Sequence, residues 1–263
     1  MRLMALRLGR VDYINTFPLE WALSRHLAEN GIDEVVGVPT ELNALLADGE
    51  VDAANVSSVA YARHADRYVL LPSLCVGSDG AVESVQLVTA LPLSAVRTIA
   101  VTSESATSVV LAQVLLPEAE IVAEDVAADA RLLIGDRALV SAFSDPTPHH
   151  DLGVLWREHT GLPMVFAVWA ARASCPAADL ARVDRVLADA LAQAQEQSDL
   201  VARAAAGRFD FPAGYLARYF EKLRYGFGER ERAGLIRFYE LAAERGLIPS
   251  APPLRFVDAA RIR

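Results

Sequence analysis

The sequence predicts an α/β fold in two lobes, with a mainly parallel sheet and a helical C-terminal region. Three observations lead there. Short apolar runs alternate with helix-period stretches through the first third of the 263 residues, longer extended runs occupy residues 70–93, and from Ala177 onward nearly every segment has helical spacing. Alternation of strand and helix is the signature of parallel sheets whose faces are covered by helices.

Residues 6–9 read as a buried strand and 17–29 as a helix, with Pro18 in its first turn, where a missing N–H is harmless. A strand at 34–38 precedes a helix at 40–47 for which Thr40 is the expected N-cap. A strand at 51–56 then leads into a helix at 57–65. The runs LLPSLCVGS and SVQLVTAL, split by the turn Ser78-Asp79-Gly80, are expected to cross between lobes. A second α/β unit follows, with strands at 98–101, 120–122 and 131–134 and helices at 106–116 and 152–159. MVFAVWA, residues 164–170, is a buried strand that returns the chain. The helix at 177–197 aligns Leu180, Val183, Leu187 and Leu191 on one face, and helices at 213–224 and 229–245 complete the chain. The lobes are then residues 1–85 with 170–263, and residues 86–169 between them, with a ligand cleft at their junction.

Composition narrows the ligand. Hydrophobic residues are 53% of the chain, which excludes disorder, and no run reaches the roughly 20 apolar residues of a membrane span. The formal charge of −9, without a basic stripe carrying aromatics, argues against nucleic acid as a partner. The last 64 residues reverse the balance, with 12 basic against 7 acidic side chains, but the signs alternate along helices as on a solvated face. The N-terminal residues lack the apolar core of a signal peptide, and Cys75 and Cys175 are a lone, distant pair, so a cytoplasmic protein with reduced thiols is expected. The single lysine, Lys222, sits in an amphipathic helical pattern, which sets aside Schiff-base chemistry and pyridoxal phosphate.

The candidate site residues stand where strands hand over to helices. Asn15 and Thr16 precede the helix at 17–29; Asn55, Ser57 and Ser58 end one strand and open the next helix; Ser103, Ser105, Ala106 and Thr107 do the same in the second lobe. Helix N-termini present unpaired N–H groups, and in open α/β sheets such turns gather at the carboxyl ends of strands. Capping alone also explains hydroxyls and amides at these positions. No G-x-x-x-x-G-K-[ST] or G-x-G-x-x-G occurs, so a small carboxylated molecule fits better than a nucleotide. Ser84 can face the cleft, which in an extended run turns Glu83 away; a lone strand carboxylate is more often paired than catalytic. His149, His150 and Asp151 lie in SDPTPHHD, which reads as a solvated loop with no zinc spacing, so no metal is expected.

Five blocks in order, LGRVDYINTFPL, DAANVSSVAYA, LLPSLCVGSDGAVESV, IGDRAL, and LGVLW with TGLPMVFAVW, resemble the chorismate dehydratase family of the futalosine route to menaquinone. They cover most of residues 8–171; the C-terminal third resembles the family only in general character. The resemblance implies a type II periplasmic-binding-protein-like fold and the conversion of chorismate to 3-[(1-carboxyvinyl)oxy]benzoate and water, with no metal or organic cofactor. It places Asn15 and Ser84 in the active site. Asn15 is then expected to act on the departing hydroxyl, and Ser84 with the 103–107 turn on the carboxylates. The proton acceptor is either the substrate's own carboxylate or Glu83. Two other readings stay open: a non-catalytic solute-binding protein for a small carboxylate, and the 1,4-dihydroxy-6-naphthoate synthase of the same route. The sequence leaves the oligomeric state unassigned.

Overall fold

The structure, a computed structural model, describes residues 5–102 and 106–257. The chain opens with β1 (Leu6–Val11), a 3-10 turn (Ile14–Thr16), α1 (Phe17–Glu29), β2 (Ile32–Gly37), α2 (Pro39–Asp48), β3 (Ala53–Ser57), α3 (Ser58–Arg63) and β4 (Tyr68–Ser78). It continues through β5 (Val85–Val88), β6 (Thr98–Val101), α4 (Ala106–Leu115), β7 (Glu120–Ala123), β8 (Ala130–Ile134), α5 (Gly135–Ser144), β9 (His149–Asp151) and α6 (Leu152–Thr160). The last part holds β10 (Met164–Arg172), α7 (Ala177–Glu196), α8 (Ser198–Ala206), α9 (Ala213–Lys222), β11 (Leu223–Gly226) and α10 (Glu229–Glu244).

Two sheets result, in the orders β11-β4-β10-β3-β1-β2 and β7-β6-β8-β5-β9. Both are mixed rather than mainly parallel. β1 pairs in parallel with β2 and β3, and β6 with β7 and β8, as βαβ units demand. The strands adjoining the passages between sheets run the other way: β10 is antiparallel to β3 and β4, β11 to β4, and β5 to β8 and β9. Met164 pairs with Ser78, so the chain leaves and re-enters the first sheet side by side. Residues 79–84 and 161–163 make the passages themselves, because β4 and β10 are taken up along their length by ladder bonds.

Several elements depart from their sequence expectation for local reasons. Helix α2 starts at Pro39, with Val38 at the N-cap position and the Glu41 carboxylate accepting the Val38 N–H at 3.2 Å, so Thr40 is not the cap. Leu223 and Arg224, expected as the end of a helix, open β11 and pair with β4 instead (Leu223 with Ser78, Arg224 with Gly77), a tertiary ladder overriding helical periodicity. α5 begins on Gly135 in the left-handed region and so lacks a sequence start signal. His149–Asp151 form an edge strand against β5 rather than a solvated loop. Among the described residues no helix is long and apolar enough to cross a membrane.

The C-terminal helices bind the two sheets together. Trp156 of α6 meets Phe238 of α10 edge to face, with ring centroids 5.9 Å apart, and its indole N–H donates to the Pro163 carbonyl at 3.1 Å. Such a pair contributes about 0.5–1.5 kcal/mol beyond the area it buries. The Tyr239 hydroxyl of α10 donates to the Ser58 carbonyl at 2.6 Å. Gly234 of α10 lies against the same Pro163 carbonyl, and a Cβ there would overlap its oxygen. In a free helix Gly→Ala stabilises by about 1 kcal/mol; here overpacking reverses the sign. Gly234→Ala is expected to destabilise by about 1–3 kcal/mol, lowering Tm by roughly 3–10 °C. A raised Tm in a calorimetric scan would show that the helix can withdraw.

Both cysteines are free. Burial, and then the Asp52 carboxylate, push the Cys175 thiol up to about 11, and burial raises the fully enclosed Cys75 as well. At pH 8 about one Cys175 in a thousand is then the reactive thiolate. Ellman's reagent should titrate neither thiol within minutes in the native protein and two per chain in denaturant. Rapid native labelling would contradict this burial.

Candidate active site

A cleft lies between the sheets, at the carboxyl ends of β1, β3 and β8. Five helices contribute their beginnings to its wall. Thr16 at the N-cap of α1, Pro39 opening α2, Ser57 capping α3, Ser108 in the first turn of α4 and Gly135 opening α5 all line it. Tyr13 and Phe166 supply aromatic wall, and Val11, Val56, Val76, Val82, Val85 and Ile134 supply aliphatic wall. None of the described lining residues is Asp, Glu, His, Lys or Arg. The nearby cation Arg10, one position before Val11, is turned into an ion cluster, with Nε on Glu34 at 2.6 Å and Nη1 on Glu20 at 3.1 Å.

Asn15, Thr16, Asn55, Ser57 and Ser84, separated by up to 69 positions in sequence, meet on this wall. Asn55 is 1% exposed and its Nδ2 has no partner; Asn15 Oδ1 is also buried and unpartnered. Buried polar atoms are nearly always bonded, and an orphan costs about 1–3 kcal/mol, so two of them facing one cavity mark a place for a polar ligand. Thr16 does not cap α1 through its side chain. Its hydroxyl has the Val11 and Tyr13 carbonyls within hydrogen-bond reach at 2.7 and 2.9 Å, and its one proton, donated to either, ties the 3-10 turn to β1 or to its own start. Ser57 does cap, accepting the Ala60 N–H at 3.1 Å.

Ser58 and Thr107 stand apart from the cavity lining and meet each other instead. Their hydroxyls are 3.2 Å apart, and Thr107 Oγ1 also accepts the Val59 N–H at 3.2 Å. They join the start of α3 to the start of α4, across the two sheets. Ala106 lines a separate recess with Asn43, Arg63 and His64. Ser103 and Ser105 lie outside the described residues. Sequence reasoning passed over Tyr13 and Phe166, although both lie inside blocks that it singled out, because an aromatic residue beside a strand end reads as core.

Ser84 reaches the cleft through an irregular turn, not a strand. Glu83 is the one described non-glycine residue with positive φ, at 57°, and the Ser84 N–H closes a γ-turn on the Val82 carbonyl at 2.7 Å. The Asp151 carboxylate holds this turn. It accepts N–H groups from Val82 (3.0 Å), Glu83 (2.7 Å), Gly153 (2.8 Å), Val154 (3.2 Å) and the Gln86 amide (3.0 Å). Burial raises its carboxyl above the usual range, against the downward pull of these donors. The turn directs the Glu83 side chain away from the cleft, onto Lys222 and the Tyr215 hydroxyl. His149, beside Asp151, has both ring nitrogens in hydrogen bonds, and among the described residues no group of three His, Cys, Asp or Glu is arranged for a metal ion.

Asp151→Ala leaves five donors without their shared acceptor and releases a strained turn. Unfolding by urea should show a loss of about 2–4 kcal/mol. A change under 0.5 kcal/mol would mean that the turn keeps its shape without the carboxylate.

A protein family described as menaquinone biosynthesis matches residues 6–244. The chorismate dehydratase of Thermus thermophilus is 35% identical over 278 residues, covering 93% of this chain and 96% of its own. That of Campylobacter jejuni is 33% identical over 60% of this chain and 64% of its own. Among solved structures, a protein from Archaeoglobus fulgidus superposes with a TM-score of 0.79 at 21% identity, covering 94% of this chain and 100% of the other. The periplasmic aliphatic sulphonate binding protein of Escherichia coli does so with a TM-score of 0.65 at 16% identity, covering 96% and 91%. These likenesses identify the fold as periplasmic-binding-protein-like.

Proposed function

The chain belongs to the menaquinone biosynthesis family, and from that premise we propose that it is a chorismate dehydratase, a carbon–oxygen lyase of the futalosine route, whose reaction takes place in the cleft between the sheets. The observation that carries the site assignment is the cleft itself: five helix beginnings, two buried amides with orphaned polar atoms, and no Asp, Glu, His, Lys or Arg among its described lining residues. Chorismate carries two carboxylates, a hydroxyl and a six-membered ring. Each carboxylate gains about 0.3–1 kcal/mol from an exposed helix N-terminus, and up to ~2 kcal/mol where the contact is partly buried. Several such contacts offset the unfavourable mean field of a chain with net charge −9.

The reaction breaks the C–H bond at the ring carbon bearing the enolpyruvyl ether and the C–O bond of the neighbouring hydroxyl. The proton and hydroxide leave as water, and the ring becomes aromatic. Aromatisation supplies the driving force, so the protein's tasks are pose, charge stabilisation and help for the departing hydroxyl. In this reading Asn15 donates its amide to that hydroxyl, Ser84 and the helix beginnings hold the carboxylates, and Tyr13 and Phe166 flank the ring. The proton passes to the substrate's own carboxylate. This agrees with a wall lacking Asp, Glu and His, and with Glu83 being held by Lys222 and Tyr215. A cytoplasmic location belongs to the same reading and is supported by the two unpaired thiols.

Purified protein incubated with chorismate should form the aromatic product, followed by its ultraviolet absorbance. Asn15→Ala and Ser84→Ala should each lower kcat about 10²–10³-fold, the scale of losing one donor to developing charge. Glu83→Gln should stay within about threefold of the parent. Collapse in Glu83→Gln with normal turnover in the other two would make Glu83 the base, and an inert parent protein would end the assignment.

A further inference from the structure

The C-terminal third matches none of the motif blocks, yet it contributes the groups packed behind both proposed catalytic side chains. Tyr225 of β11 donates its hydroxyl to the Asn15 carbonyl at 2.7 Å. The Tyr219 hydroxyl of α9 is buried beside Ser84 and makes no hydrogen bond among the described residues. Tyr219 and Tyr225 are 1% and 7% exposed, and neither lines the cleft. They share one segment, residues 213–226, which is fastened to the crossing turn by Tyr215 and Lys222 on the Glu83 carboxylate.

Resting on the dehydratase reading, we propose that Tyr225 and Tyr219 are positioning residues for Asn15 and Ser84. Asn15 sits in a 3-10 turn outside any ladder, held by its neighbours: the Ile14 N–H donates to Asp136 at 2.9 Å, and Thr16 bonds back to β1. The Tyr225 hydroxyl adds the anchor on Asn15 itself, and so sets where its amide meets the ligand. Ser84 presents a different problem, since its hydroxyl has one proton and its contact with the Val82 carbonyl is long, at 3.3 Å. The Tyr219 O–H, buried beside Ser84 without a partner of its own, is the group that can occupy an acceptor site of Ser84 Oγ once the serine turns its proton from Val82 to an oxygen in the cleft. Burial raises both phenols far above their ordinary value, so they stay neutral donors throughout the working pH range.

Tyr→Phe removes only the oxygen, and double-mutant cycles separate positioning from general stability. Tyr225→Phe and Tyr219→Phe should each lower kcat about five- to tenfold with KM within twofold. Tyr225→Phe should then add less than about twofold to Asn15→Ala, yet retain its full factor on Ser84→Ala. Tyr219→Phe should show the mirror pattern, silent on Ser84→Ala and fully expressed on Asn15→Ala. Single-turnover absorbance traces at high enzyme concentration keep the slow backgrounds measurable, and the two cycles are independent if one variant folds poorly. Equal factors in every background, or unchanged kcat in both Phe variants, would overturn the inference while leaving the dehydratase reading intact. An inert parent protein would overturn the reading first.

Discussion

The Asp151 carboxylate accepts N–H groups from both sides of the point where the chain passes out of the first sheet, and the site depends on that junction. Val82 and Glu83 donate from the passage itself, Gln86 from β5, and Gly153 and Val154 from the start of α6. A left-handed non-glycine residue costs roughly 1–2 kcal/mol, and one carboxylate gathering five donors holds it there. The consequence reaches function through geometry. A tight turn at Glu83 presents Ser84 to the cleft and sends the Glu83 carboxylate to the opposite side, where Lys222 and Tyr215 receive it.

The cleft walls make a chemical choice that follows from low dielectric. Fixed neutral donors such as amides, hydroxyls and helix N–H groups need no counter-ion and are not neutralised by a neighbouring acid. Arg10 and Arg208, the cations near the Asn15 turn, are instead consumed by Asp12, Glu20 and Glu34. An anion entering the cleft therefore meets dipoles already pointing at it. Among the described residues the same economy leaves Asp, Glu and His off the wall.

Opposite ends of the chain complete one another. α10 closes over the second sheet through Trp156 and Phe238 and reaches the first through the Ser58 carbonyl, while the segment of α9 and β11 backs Asn15 and Ser84. The hydroxyl pair Ser58 and Thr107, whose side chains lie outside the cavity lining, ties the start of α3 to the start of α4. Residues that read as ligand contacts can thus serve the cleft by fixing the helices that open onto it.

The sequence by itself determined the α/β alternation, the two-lobed layout and the strand-to-helix turns holding Asn15, Thr16, Asn55 and Ser57, because hydrophobic period and capping chemistry are local properties. It also carried the family in blocks such as INTFPL and GAVES. Tertiary structure alone decided what those turns face. Thr16 binds β1 and does not cap; Leu223 and Arg224 leave their helical period to pair with β4; and HHD, polar enough for a loop, becomes an edge strand whose Asp151 is enclosed by donors from two segments. The aromatic wall and the tyrosines behind Asn15 and Ser84 were likewise invisible, since a tyrosine at helical or strand spacing looks like core until its hydroxyl finds a partner 210 positions away. Such bonds join segments that no sequence window spans, so only the folded chain brings them together.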